Sequence, residues 1–211
     1  MSRGLFIAFE GIDGCGKSTQ LALAAAALKR DGYAVLTTRE PGGTPIAEKI
    51  RSLILDRDNH AMADRCELLL YAAARAQHVQ ERIAPALAQG IHVLCDRFHY
   101  ATFAYQGYGR NLPLDLLATV NECATGGILP DLSFIFDISV STASARLSAM
   151  NKPPDRIEAL GDGFFSRIAE GYRLLARKYP DTSVLLDGEQ DAEALSCQVH
   201  SSIRTVLDKC R

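Results

Sequence analysis

Short apolar runs alternate along this chain with longer stretches of helical character. The runs fall at Leu5 to Phe9, Tyr33 to Thr37, Ile91 to Cys95, Leu132 to Phe136 and Ser183 to Leu186, and they predict five strands. Continuous rather than alternating apolar character fits strands covered on both faces, and the helical segments between them predict a mainly parallel α/β sheet. A first helix is expected from about Lys17 to Asp31, stopped by Gly32, and a second after Pro45. A long helical stretch from about Asp64 to Gln89 contains Pro85, which should kink or split it, and Gly90 closes it. Further helices are predicted over Leu114 to Thr125, Ser141 to Met150, Phe164 to Tyr179 and Asp191 to Cys210. The polar segment 151–163, with Pro153-Pro154 and two glycines, reads as a lid loop.

Between the first strand and the first helix lies Gly11-Ile12-Asp13-Gly14-Cys15-Gly16-Lys17-Ser18, a full match to G-x-x-x-x-G-K-[ST]. Gly11, Gly14 and Gly16 permit a tight, partly left-handed backbone whose N–H groups turn inward around a polyphosphate. Lys17 supplies a mobile charge for the terminal phosphates. The Ser18 hydroxyl is a ligand for Mg²⁺, and Thr19 stands beside it at a helix start that favours anions. The strand, loop and helix follow in the order such a loop requires, so residues 11–19 are the expected polyphosphate-binding segment, which alone leaves GTPases, ATPases and nucleotide kinases open. Cys15 invites a redox reading, but a small apolar filler is the expectation preferred for it.

Composition narrows the class without naming the chemistry. The 211 residues suit one domain, 47% are hydrophobic and 23% charged, and no apolar run approaches the length of a membrane span. The amino terminus runs straight into a strand, so no signal peptide and a cytoplasmic location are expected. Six cysteines show no metal-ligand spacing, and reduced thiols are expected. A net charge of −2 gives no general attraction to nucleic acid.

The third strand ends Val93-Leu94-Cys95-Asp96-Arg97, delivering a carboxylate and a guanidinium to the carboxyl edge of the sheet, where ligands bind in open α/β folds. Asp96 can hold Mg²⁺ directly or through water. Arg97 equips a second phosphate site, which a simple nucleotide hydrolase does not require. Asn151-Lys152-Pro153-Pro154-Asp155 is one residue too long for a guanine-selecting Asn-Lys-x-Asp sequence and follows no strand.

Four separated motifs resemble those of the thymidylate kinase family: Phe9-Glu10-Gly11-Ile12-Asp13-Gly14-Cys15-Gly16-Lys17-Ser18-Thr19, Arg39-Glu40-Pro41-Gly42-Gly43-Thr44, Asp96-Arg97-Phe98 running on to Ala104-Tyr105-Gln106-Gly107, and Asp155-Arg156-Ile157-Glu158. The resemblance implies a P-loop nucleoside monophosphate kinase fold, with a five-stranded parallel sheet, helices on both faces and a short lid at about 146–163. It implies transfer of the ATP γ-phosphate to dTMP, Mg²⁺ dependence and a homodimer paired near residues 64 to 89. By the same resemblance Arg51 and Arg97 grip the acceptor phosphate, Arg39, Glu40 and Pro41 shape its pocket, and Asp13 approaches the sugar 3′-hydroxyl. Tyr71 and Arg75 are i and i+4, so a ring can stack on a pyrimidine while a guanidinium bonds its carbonyl. The resemblance further implies that Thr102 and Gln106 add polar contacts to the base and that Tyr105 crowds the sugar 2′ position. Because the phosphate loop carries no arginine, the resemblance to the bacterial lid-type subclass assigns the transition-state cation to Arg146, Lys152 or Arg156, with Arg156 foremost and Lys152 assisting. Another nucleoside monophosphate kinase, acting on dUMP or UMP, and a nucleotide switch protein are the alternatives.

Overall fold

The computed structural model describes residues 3–149 and 153–209. Its five strands are β1 (Phe6–Glu10), β2 (Val35–Arg39), β3 (His92–Asp96), β4 (Leu132–Asp137) and β5 (Ser183–Asp187), all parallel in the order β2-β3-β1-β4-β5. β1 is central and every residue of it is buried, which is why Phe-Ile-Ala-Phe shows no polar alternation. Its side chains divide between two cores. Ile7 and Phe9 join the larger one with Leu28, Phe134, Ile168 and Ile203, while Phe6 and Ala8 pack with Val79, Ile83, Val93 and Phe98 on the opposite face. With β3 on one side of β1 and β4 on the other, the strand order reverses at β1, and a crevice opens beyond its carboxyl end.

Helices α1 (Lys17–Arg30) and α2 (Pro45–Leu55) begin where predicted. Thr44 caps α2 by accepting from the Ala47 N–H, with Pro45 in the first turn. The long helix starts as α3 (Asp64–His78), passes through a π-helical stretch at Val79–Ile83 and ends as α4 (Ala84–Ala88). Pro85 therefore leaves the path continuous and is accommodated by a widened turn just before it, where its ring would otherwise strike a carbonyl.

One helical region escapes the hydrophobic pattern. Residues His99–Thr102 form α5 and continue as a second π-helical stretch, Phe103–Gly109. Gly107 lies against Leu114 and Leu117, and Gly109 against Phe164, so closely that a Cβ at either position would approach side-chain carbons to within 3 Å. Tyr108 fills the space over Gly171 in the same way. The partners of this region come from α6 (Leu114–Thr125) and α8 (Asp162–Lys178); α7 (Val140–Ala149) and α9 (Ala192–Lys209) complete the helices. The predicted lid loop contains a short 3-10 turn, Glu158–Leu160. Asp155 and Glu158 cap it reciprocally: Asp155 Oδ1 accepts from the Ile157 and Glu158 N–H groups, and Glu158 Oε2 from the Asp155 N–H.

Candidate active site

The phosphate loop joins β1 to α1 through three glycines with positive φ, at 141° for Gly11, 82° for Gly14 and 90° for Gly16. Gly11 is also sterically required. A Cβ there would meet Phe136 O at 2.7 Å and Cys15 Sγ at 2.8 Å. Cys15 is buried, and desolvation pushes its thiol upward despite nearby Lys17, so it fills space as expected. Lys17 Nζ lies 3.3 Å from Asp13 Oδ1 and reaches Ile12 O at 3.5 Å. Ser18 Oγ donates to the Asp96 carboxylate, joining the loop to the end of β3.

Arg97 joins the loop to a neighbouring cavity that it also lines. Its guanidinium donates to Gly11 O at 2.7 Å, Asp13 Oδ1 at 2.7 Å and the Tyr172 hydroxyl at 3.2 Å, and it stacks over the Tyr105 ring. Its φ of 67° is left-handed, an arrangement a non-glycine residue holds only at a cost of about 1–3 kcal/mol. Burial works to raise the Asp13 carboxyl, but Arg97 and Lys17 overcome it and hold the group well below the usual carboxylate range. Beneath Arg97 lies fully buried Glu10, which accepts from the Phe98 N–H at 2.8 Å and the Tyr172 hydroxyl at 3.0 Å. Desolvation wins at this residue and raises the carboxyl to about 7.

A cavity beside the loop is lined by Asp13, Arg97, Glu40, Pro41 and Arg51 together with Tyr71, Arg75, Thr102, Tyr105 and Gln106. All of these were named in the sequence, Arg51 through the family resemblance and the others through the motifs, the segment joining Asp96-Arg97-Phe98 to Ala104-Tyr105-Gln106-Gly107, or the Tyr71–Arg75 helix face. Arg75 is held almost completely by protein. Its Nε donates to Glu40, one terminal nitrogen to Thr102 Oγ1 and Asn121 Oδ1, and the other to Phe98 O. Four of its five N–H groups are thus committed and one is left for a ligand. Glu40 also bonds buried His78, which reaches Thr38. Arg39 departs from expectation: its guanidinium pairs with Glu48 outside the cavity and lines the neighbouring open cleft near Ser18 and Asp96. The Glu48 carboxylate also accepts from the Gly43 N–H, so Arg39 steadies the loop rather than contributing to the pocket wall.

A family model described as Thymidylate kinase matches residues 9–199, nearly the whole chain. The chain belongs to the thymidylate kinase family. A thymidylate kinase of Geobacter sulfurreducens is 49% identical over 93% of this chain and 94% of its own length. One from an Exiguobacterium species is 46% identical over 93% and 92%, and one from Pseudomonas putida 44% identical over 99% of both.

Among thymidylate kinase family features, the lid cation is the one the geometry redistributes. Arg146 donates to Gly14 O at 3.3 Å and Gly188 O at 3.2 Å, so it stands against the phosphate loop. Arg156 is buried, donating through Nε to Ile54 O at 2.6 Å and through a terminal nitrogen to Glu67 at 2.7 Å. It lies behind the cavity, whose lining includes its neighbours Asp155 and Ile157. Lys152 lies outside the described residues.

Glu67 was not visible as a site residue in the sequence. It is completely buried at the start of α3 and also accepts from Arg110 at 2.9 Å and Gln106 at 3.0 Å. Burial alone would raise its carboxyl, but hydrogen bonds from Arg110, Gln106 and Arg156 hold it low. A signal was present: Glu67, Tyr71 and Arg75 recur at four-residue intervals on one helix face.

Ser18 and Asp96 present hard oxygens side by side at the loop, a donor set that fits Mg²⁺. Among the described residues no group of three or more His, Cys, Asp or Glu side chains is gathered for a metal, so a cation here would take its remaining ligands from phosphate and water, as Mg²⁺ commonly does. No helix of the described residues is long and apolar enough to cross a membrane.

Proposed function

We propose that this chain transfers the γ-phosphoryl group of ATP to dTMP, giving dTDP for dTTP synthesis. The observation that carries the reading is the Arg97–Asp13–Lys17 chain of contacts, which ties a pyrimidine-sized pocket to a phosphate loop. Phosphoryl transfer asks a protein for alignment and charge neutralisation more than covalent participation. The loop amides of residues 11–19 and Lys17 hold the donor phosphates. Arg97 and Arg51 receive the acceptor phosphate, and Asp13, kept ionised, accepts from the sugar 3′-hydroxyl. The Tyr71 ring stacks on the base, the remaining Arg75 N–H meets a base carbonyl, Thr102 and Gln106 contact the base edge, and Tyr105 closes the 2′ side. Ser18 and Asp96 would hold Mg²⁺, which would supply charge neutralisation to the donor phosphates.

Arg146 is the cation we assign to the transition state, with Lys152 assisting on lid closure, because Arg146 already borders the loop whereas Arg156 is committed to Glu67. The working unit is a single kinase domain with a lid at about 146–163, acting in the cytoplasm as a homodimer. Light scattering of the purified protein tests the dimer.

ADP release measured in a coupled assay against a panel of nucleoside monophosphates tests the reaction. Stimulation by dTMP is expected. Turnover with UMP or AMP but not dTMP would replace this reading with that of another monophosphate kinase.

A further inference from the structure

Gln106 and Glu67 together carry information about the acceptor base that neither carries alone. The Gln106 side chain is buried and lines the cavity, with Nε2 3.0 Å from Glu67 Oε1. An ionised carboxylate only accepts hydrogen bonds, so the amide must turn its NH₂ toward Glu67. Glu67 is in turn fixed by Arg110 and Arg156, and Arg156 by Ile54 O, leaving the carboxylate no freedom to rotate away. The amide oxygen is then the group presented to the cavity; among the described residues Oε1 has no protein partner and is not sealed off.

We infer that Glu67 is a specificity-determining positioning residue: by fixing the Gln106 amide it presents an acceptor to the pyrimidine edge, selecting a base whose N3 carries a hydrogen over one whose N3 offers a lone pair. The inference rests on the dTMP reading above and deepens it. Thymine and uracil share the N3–H, so the device separates both from cytosine and leaves their mutual discrimination to the 5-methyl contact. Two opposed acceptors in a dry pocket are penalised far more heavily than one lost methyl contact.

The test compares kcat/KM for dTMP and dCMP in the wild type, Glu67→Gln, Gln106→Leu and the double variant. A glutamine at 67 can donate as well as accept, freeing the Gln106 amide to flip, so the dTMP-to-dCMP ratio should fall about tenfold or more. In the Gln106→Leu background the same change at 67 should leave the ratio unmoved. Equal losses for both substrates in Glu67→Gln, or a further drop in the double variant, would overturn the inference by reducing Glu67 to a structural role. Should Glu67→Gln fail to fold, the wild-type Gln106 side-chain amide, assigned by NMR through its loss in Gln106→Leu, carries the test. One of its protons should resist exchange with solvent, and two freely exchanging protons would sink the idea. Wild-type protein that does not turn over dTMP would defeat the functional reading itself, a result distinct from an unchanged ratio.

Discussion

The acceptor pocket and the phosphate loop lie side by side, yet they hold their charged groups in different ways. In the pocket, Arg75 spends four N–H groups on protein partners, and Glu67 collects Arg110, Arg156 and Gln106 at 2.7 to 3.0 Å. Around the loop the holding is uneven: Arg97 is fixed at 2.7 Å by both Gly11 O and Asp13 Oδ1, whereas Lys17 lies 3.3 Å from Asp13 and Arg146 meets two carbonyls at 3.2 and 3.3 Å. On the proposed reading the base pocket is built in advance, while Lys17 and Arg146 have partners weak enough to exchange for phosphate oxygens. The difference follows from the tasks, since a base is read by fixed geometry and a migrating charge by groups that can follow it.

Removing a loop cation should expose that division most sharply. Lys17→Ala is expected to lower kcat about 10³-fold in single-turnover measurements, with dTMP affinity largely retained. A loss confined to dTMP binding would show that the two regions are not separate.

The two arginines of the lid region offer the next contrast. Arg156→Ala removes one member of a buried ion cluster and should cost about 3 kcal/mol, read as a lowered midpoint in denaturant. Arg146→Ala should leave that midpoint nearly unchanged while lowering the chemical step about 10²-fold. The opposite pattern would return the transition-state role to Arg156.

Glu10 links the two regions from below, and its titration has a definite sign. Its folded value of about 7 lies above the ordinary 4.5, so between those pH values the folded protein keeps a proton the unfolded chain has released. The stability contribution is complete below pH 4.5 and is lost as pH rises toward 7, a decline of at most about 3 kcal/mol. Denaturant unfolding of Glu10→Gln should show a flatter profile across this window than the wild type.

Cys15 provides the smallest effect. Buried under the loop with its thiol pushed up, it should remain unalkylated at pH 7 while exposed Cys66, Cys123 and Cys197 react, as intact mass would record. Rapid labelling at Cys15 that ATP slows would mark the loop as mobile.

The inner strands were legible because β1, β3 and β4 are largely buried and wrote apolar runs into the sequence, whereas the edge strands β2 and β5, partly exposed, wrote shorter ones. The acceptor pocket was legible through motifs and the Tyr71–Arg75 spacing. Residues 99–109 were not, because an aromatic segment with two glycines has little intrinsic helical preference. Its helical form depends on Leu114, Leu117 and Phe164 closing over Gly107 and Gly109, contacts no local window contains. Glu67 stayed hidden for a related reason: with Asp64 it reads as an ordinary acidic residue in a helix's first turn. Arg39 was grouped with the pocket by its motif, and only the fold reveals the Glu48 carboxylate that draws it outward.

The wide π-helical winding at Phe103–Gly109 also sets an angular phase. Each residue of an ordinary helix turns the chain by about 100°, so the extra winding rotates everything downstream relative to Thr102. Arg110 reaches Glu67 because of that offset, from the same stretch that brings Tyr105 and Gln106 to the cavity. Deleting one residue here would be a rotation as much as a shortening, turning the base-reading face out of register while leaving the sheet intact.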